Sequence, residues 1–482
     1  MVLKHKPLMV VVFLFVLIYA LISLINHYYF RTYALDLGVY TNVMYDYLHY
    51  GYSDTASFSD VPENILSDHF DLYLIIFSPF ILLFKTYTLL IIQICAIIIG
   101  GLGVYKYFLV EAKKHKNLPL FATIFFYSFF GIFSAIAYDY HSNVIAACMV
   151  PWLLYFVKTQ QIKKIVFITL FIIIGKENIS FWLFFIFIAL LFENRKDKKM
   201  RTVLVGLSAF SFAYFIVITG YIMPKLSINN SFYQFRYSAL GSDFFEAIKQ
   251  MVFHPIDTLG IMFTNHTNAV NGDYIKLETV LMLVFSGLPL LLKKPIYLIM
   301  LLPIFAQKFF HDQVSMWSCI AQYNVEFAPI LAIGAFAAIK DIKQPKWFSV
   351  VGVSLIVLAL GVTIRRMDNT LYPSSTDNIR IYKGSHFYRE YNVKKVYIAL
   401  DKIPNNAAVS CQTSFFPHLA LRDKIYQFPL IKDAEYIVFS DLEGHYPFMD
   451  KKHFKDFVFT LKKSEKWQEI YNEEGFYILK LK

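Results

Sequence analysis

The sequence predicts an α-helical polytopic membrane protein with about eleven transmembrane helices, juxtamembrane helices and a small C-terminal α/β domain outside the membrane. Three observations predict it. Of 482 residues, 57% are hydrophobic and only 17% charged, where a soluble domain carries about a quarter charged, and the mean hydropathy is +0.48. The apolar residues fall in long blocks separated by short Lys-rich stretches. After Arg366 the composition changes, and residues 373–482 hold 17 Lys plus Arg and 14 Asp plus Glu, as a soluble domain does. A soluble globular enzyme, a disordered chain and a disulfide scaffold are excluded. Cys95, Cys148, Cys319 and Cys411 show neither a pairing pattern nor metal-ligand spacing.

The first span is expected at 7–29, following Lys4, His5 and Lys6. Asn26-His27-Tyr28-Tyr29 offers no small-residue cleavage site, so the segment reads as a retained helix and not a signal peptide. Further apolar segments suited to about 30 Å of hydrocarbon are 87–109, 119–137, 143–158, 164–176, 178–192, 202–223, 275–292, 295–310, 324–340 and 347–364. The run 70–84 contains Pro79 and is short for a span. The positive-inside rule decides its status. With 70–84 not crossing and the N-terminus cytoplasmic, inner segments hold 19 Lys and Arg against 10 on the outer side before residue 373. A crossing there would invert every later loop and largely erase that bias. The run is therefore expected to be re-entrant or juxtamembrane, which leaves the C-terminus outside a plasma membrane. Of the 21 acids before residue 373, only Glu111, Glu193, Asp197 and Asp341 fall inside. Acids contribute little to topology, so their outer excess points to chemistry on that face.

Two outer loops are long, 31–69 and 224–274. Val39, Val43, Met44, Tyr47 and Leu48 recur at helical spacing in the first, as in a helix lying on the membrane surface, with Gly51 at its end. The second carries an aromatic stretch, Phe232 to Tyr237, and a short helix from Phe244 to Phe253 stopped by Pro255. The chain divides into a membrane domain, 1–372, and an outer domain, 373–482. In the latter, Val396–Leu400, Ala408–Cys411, Ile425–Phe428 and Tyr436–Phe439 read as strands. A helix around 452–463 precedes a hairpin of Glu469–Tyr471 and Phe476–Leu481.

Candidate chemistry collects on the outer face. Asp36, just after the first span, suits a general base for a substrate arriving from the membrane; the same position suits a helix N-cap. Asp68-His69-Phe70-Asp71 could hold a divalent ion or contact a phosphate, or could simply form a wet loop. Tyr138-Asp139-Tyr140-His141 occupies a very short turn. Lys176-Glu177-Asn178 interrupts an apolar stretch, where charges are costly and usually functional. His254-Pro255, Arg236, Gln307, Lys308, His311, Asp312, Gln322, Tyr323 and Asn324 complete the set. A transporter would instead place its polar groups near the midplane, between repeated and broken helices.

The order of several short strings resembles the family called domain of unknown function 2079. They are Asp36-Leu37-Gly38-Val39-Tyr40, His69-Phe70 leading to Ser78-Pro79, Leu89-Leu90 with Gln93, Tyr140-His141, Lys176-Glu177, His254-Pro255 and the Tyr323-Asn324 region. In the tail, Pro404, Ala408-Val409-Ser410, Pro417-His418-Leu419, Arg422 and Ile425-Tyr426 to Pro429 continue it. Asn178 departs from the acid expected after Lys-Glu, while Glu177 keeps to the pattern. That family is similar to the GT-C superfamily of integral-membrane glycosyltransferases. The resemblance implies an inverting transferase that takes a sugar from a polyprenyl-phosphate donor in the outer leaflet and passes it to a glycan, lipid or protein acceptor. It implies Asp36 as catalytic base, and Asp68, His69, His141, Lys176, Glu177, Arg236, His254 and Lys308 as substrate-binding residues. No nucleic-acid partner and no certain cofactor are implied. A transporter or flippase, or a membrane scaffold without catalysis, are the alternatives from other classes.

Overall fold

A computed structural model describes residues 6–112 and 114–482; Lys4, His5 and Lys113, which entered the charge reading, lie outside the described residues. The molecule is mostly helical with one small sheet near the C-terminus. Lys6–Tyr28, Tyr73–Leu109, Lys198–Leu226 and Pro345–Asp368 are each long and apolar enough to cross a membrane. A fifth follows if the bent pair Leu118–Tyr127 and Phe130–Ile136, at 43°, is one span. Ser142–Lys158, Ile296–Phe309 and Phe327–Ile339 are shorter apolar helices. Every residue of Phe327–Ile339 is buried, so this Ala-rich helix is the centre of the bundle and faces protein on all sides. Helix Thr88–Leu109 packs against Ser142–Lys158 through glycines: a Cβ on Gly100 would stand 2.7 Å from the Cys148 carbonyl, and one on Gly103 2.9 Å from Trp152.

The run from Tyr73 to Tyr87 is a series of short helical turns ending at Lys85, whose φ is 49°. Its two ends meet turns that the charge reading puts on the outer side. Leu72 N–H donates to the Ile174 carbonyl (3.0 Å), beside Gly175-Lys176. Thr86 Oγ1 lies 3.0 Å from His27 Nε2, at the end of the first helix. Ion pairs sort in the same way. Glu111 pairs with Lys158 (2.7 Å) and Lys340 (2.9 Å), and Lys294 with Asp341 (3.3 Å), all residues of inner loops in the charge reading. Glu278 pairs with Arg365 at 2.9 Å, both from outer segments. Among the described residues no ion pair joins the two groups.

The surface helix of the first loop is present as Val39–His49, and Gly51 follows at φ 68°. In the second loop Asp243 caps Phe244–Phe253 by accepting from the N–H groups of Phe245 and Glu246. Pro255 does stop that helix, and it also opens another, Pro255–Phe263, because proline fits the first turn where its missing N–H is not needed.

The C-terminal strands are β1 (Val409–Cys411), β2 (Ile425–Gln427), β3 (Tyr436–Ser440), β4 (Trp467–Glu473) and β5 (Phe476–Leu481), in the order β2-β1-β3-β5-β4. β1 runs parallel to β2 and β3, while β5 is antiparallel to β3 and β4. Helix Lys451–Lys463 packs beside them. The expected strand at Val396–Leu400 is instead the helix Val393–Leu400. Asn392 accepts from Lys394 and Lys395 N–H as its cap, and Val393, Val396, Ala399 and Leu400 bury one helical face. Strand β3 is buried on both faces, while the edge strand β4 is largely exposed. Alternation along β3 sends Tyr436 and Val438 into the cluster that includes Tyr19, Phe126 and Ile330, and Ile437 and Phe439 into a separate one with Phe454 and Val458. The helical bundle and the sheet thus share a continuous apolar core.

Polar contacts reinforce that junction. Arg31, buried after the first helix, donates to the carbonyls of Ser385 (2.8 Å), His386 (2.5 Å) and Tyr388 (2.6 Å). The Asn42 amide donates to the carbonyls of Ala420 (3.0 Å) and Arg422 (2.9 Å). His27 stacks on His418 with centroids 4.1 Å apart, and burial holds the His418 imidazole well below its usual pKa.

Candidate functional site

Asp36 does not cap the surface helix. It lies within a tight π-helical turn, Ala34–Gly38, that three outside contacts fix. Tyr33 N–H donates to Asp139 Oδ2 (2.8 Å), Ala34 N–H donates to Thr413 Oγ1 (3.0 Å), and Gly38 lies flush against Phe416. Asp139 is buried with Asp36 near it, and both effects hold its carboxyl well above the usual carboxylate range. So held, Asp36 points to His141, whose Nε2 lies 3.3 Å from Asp36 Oδ1. His141 N–H in turn donates to Gln93 Oε1 (2.9 Å), and the Gln93 amide donates to the Asp139 carbonyl (2.8 Å).

A second group stands close by. His69 bridges the two charges of the interrupted helix: its Nδ1 is 3.2 Å from Glu177 Oε1, and its Nε2 is 3.3 Å from Lys176 Nζ. Glu177 Oε2 also accepts from Phe70 N–H (3.1 Å). This arrangement favours the tautomer with the proton on Nδ1, donating to Glu177 and accepting from Lys176. Lys176 and Glu177 both serve His69. The Tyr40 side chain lies among Asp36, Asp68, Asp71 and Glu177, so the two groups form one acidic neighbourhood.

Both groups line a single cavity of about 1550 Å³, larger than the about 300–1,000 Å³ of ordinary small-molecule sites. Asp36, Asp68, His69, His141, Lys176, Glu177, Arg236 and Lys308 all contribute to its wall. The lining is also rich in apolar side chains, among them Phe181, Trp182, Phe215, Phe244, Met251 and Leu259, and Leu259 and Leu302 are more than half exposed. The C-terminal segment closes one side with Gln427, Pro429, Leu430, Tyr446 and Pro447.

Two expected binding residues need correction. His254 is not among the lining residues; it sits in the bend between two helices, 59% exposed, 3.9 Å from Asp257. Lys308 reaches the wall, but its ammonium is taken up by the carbonyls of Met316 and Ser318, each at 2.6 Å. It pins the irregular chain before the central helix. The Asp68, His69 and Asp71 side chains also diverge. Asp68 accepts from the Gln234 amide (2.7 Å), His69 turns to Glu177, and Asp71 accepts from Tyr73 N–H (2.9 Å) and the Tyr140 hydroxyl (3.3 Å). Among the described residues no group of three His, Cys, Asp or Glu is arranged to hold a metal ion.

Sequence reasoning passed over Asn143 and Glu326. Both are buried in the cavity wall, and the Asn143 amide donates to Glu326 Oε1 at 2.6 Å. An acid at the start of an apolar block, two residues after Asn324, was the available signal.

No curated protein matches the sequence. A family model described as "Predicted membrane protein (DUF2079)" matches residues 26–477, nearly the whole chain including every residue of the cavity, and the chain therefore belongs to that family of membrane proteins.

Proposed function

We infer that the protein is an integral-membrane glycosyltransferase, using a polyprenyl-phosphate-linked sugar at the outer face of a plasma membrane. The observation that carries this reading is the double character of the cavity lining. It combines a carboxylate held by histidine, and a cation, with many aromatic and aliphatic side chains, some of them exposed. A soluble substrate has no use for such a lining; a lipid tail does. The cavity counts against a scaffold, and its carboxylate and cation lie in the outer loops and not midway along the helices, which counts against transport.

In this reading Asp36 accepts the proton of the acceptor hydroxyl as that oxygen bonds to the anomeric carbon. The bond from that carbon to the carrier phosphate breaks, and its electron pair leaves with the phosphate. Lys176 and Arg236 meet the leaving charge; Lys308, tied to two carbonyls, is not needed there. His141 orients Asp36, and His69 with Glu177 keeps Lys176 in place. The separate placement of the two loop groups in ion pairs, and the return of 73–87 to outer turns at both ends, support eleven crossings with 70–84 re-entrant and residues 373–482 outside.

The test is transfer from a labelled polyprenyl-phosphate sugar in proteoliposomes. Asp36→Asn is expected to lower turnover by at least about a hundredfold, and Lys176→Met to weaken donor use. Full activity in Asp36→Asn would remove Asp36 as the base.

A further inference from the structure

The cavity wall carries polar atoms that nothing in the protein satisfies. Asn143 Oδ1, Gln322 Oε1 and His141 Nδ1 are buried and have no hydrogen-bond partner, and all three residues line the cavity. Asn143 lies two residues after His141, and its amide nitrogen is 3.5 Å from the Gln322 backbone carbonyl. Buried polar atoms are normally paired, because leaving one unpaired is costly, and such a cluster calls for a ligand.

Their chemistry says which kind. The two amide atoms are carbonyl oxygens, so they accept and do not donate. For Asn143 the orientation is fixed, because its NH₂ group already donates to Glu326 Oε1 at 2.6 Å and lies 3.5 Å from the Gln322 carbonyl. Glu326 adds a further acceptor. Asn143, Gln322 and Glu326 are each about 5% exposed. A phosphate would be repelled by such a set, since it needs donors. Donors and cations also line the cavity, as Lys176, His69 and Arg236.

We propose that Asn143, Gln322 and Glu326 form a hydroxyl-reading subsite, distinct in chemistry from the Lys176 group, that accepts hydrogen bonds from a polyhydroxylated ring. The proposal rests on the glycosyl reading and deepens it, assigning the residues that grip the sugar apart from those that meet its phosphate. The cavity is then a tripartite site, with a ring subsite, a phosphate subsite and an apolar lining for the chain.

Two probes with the same tail separate these parts: dodecyl β-glucoside carries the ring, and dodecyl phosphate carries the charge. Binding of each to the full chain in lipid nanodiscs is followed by fluorescence of Trp182, which lines the cavity. Asn143→Ala/Gln322→Ala is expected to weaken the glucoside by about tenfold or more, the loss of two or three hydrogen bonds. It should leave dodecyl phosphate within about twofold, which also shows that the variant is folded. Lys176→Met should do the reverse. The subsite is refuted if the wild type does not bind the glucoside, or if the double variant binds it as well as the wild type does. If the glucoside behaves as expected but dodecyl phosphate does not bind, the subsite stands and the lipid-phosphate reading fails.

Discussion

Gly38 is glycine for reasons of space, and Gly38→Ala tests how tightly the C-terminal segment holds the Asp36 turn. Its backbone is helical, with φ −64° and ψ −55°, so no special conformation demands glycine. A Cβ there would stand 2.5 Å from Phe416 Cδ1 and 3.3 Å from the Tyr33 carbonyl. Phe416 is fully buried and would have to retreat by nearly 1 Å to restore ordinary contact. Overpacking of this kind costs about 1–3 kcal/mol. Alanine's better helical propensity returns at most about 1 kcal/mol, and less in a single π-turn, so a net loss of about 1–2 kcal/mol is expected. Thermal unfolding of purified protein, followed by tryptophan fluorescence, should show a midpoint lower by about 1–2 °C. Phe416→Leu makes room, so Gly38→Ala/Phe416→Leu should be more stable than the two single changes added together. Gly38→Ala as stable as the wild type, or a strictly additive pair, would refute the contact as the reason for the glycine.

Other outcomes follow from the same geometry. Glu177→Ala strands the Phe70 N–H and the His69 ring in a buried place and should cost about 2–4 kcal/mol by thermal unfolding; Glu177→Gln, which keeps an acceptor, should cost clearly less. Arg31→Ala leaves the carbonyls of 385, 386 and 388 without their donor, so trypsin should cut after Arg389 at least about tenfold faster, with Arg31→Lys in between. Burial, opposed by the Ser53 hydroxyl but aided by Asp54 and Asp423, raises the Asp46 carboxyl from 3.8 to about 7. The folded state therefore holds that proton more tightly than the unfolded chain, and stability from this group is full below about pH 4 and is lost as pH rises towards 7. Asp46→Asn should flatten the stability profile over that interval, and an unchanged profile would contradict it.

The helical blocks were legible because lipid demands long apolar runs and tolerates charges only at their ends. The Asp36–His141 and His69–Glu177 contacts lay among residues flagged by those rules, although no spacing rule could join positions 108 residues apart. The apolar lining was not legible. Phe181 and Trp182 face the cavity, whereas Phe13 and Phe192 lie exposed on the apolar exterior, yet the residue types are the same, since lipid and a cavity for lipid ask for one chemistry. Val396–Leu400 was misread because a short alternating run suggested a strand, and the deciding signal was the Asn392 cap of the helix Val393–Leu400. The partners of Lys308 were not legible either: a buried ammonium is costly wherever it sits, and its two carbonyl partners came from a turn whose path no periodicity describes.

The clamp on the Asp36 turn also bears on how the protein comes into being. Thr413, which fixes the Ala34 N–H, is made 379 residues after it, and at about 5–20 residues per second that is roughly 20–80 s of synthesis. Through that interval the first loop lacks its support and the cavity lacks the wall supplied by residues 427–447. A chain stalled or cut before β1 would insert in the membrane with Asp36 present but unsupported. Completion of the polypeptide thereby acts as a safeguard, withholding a finished site from fragments.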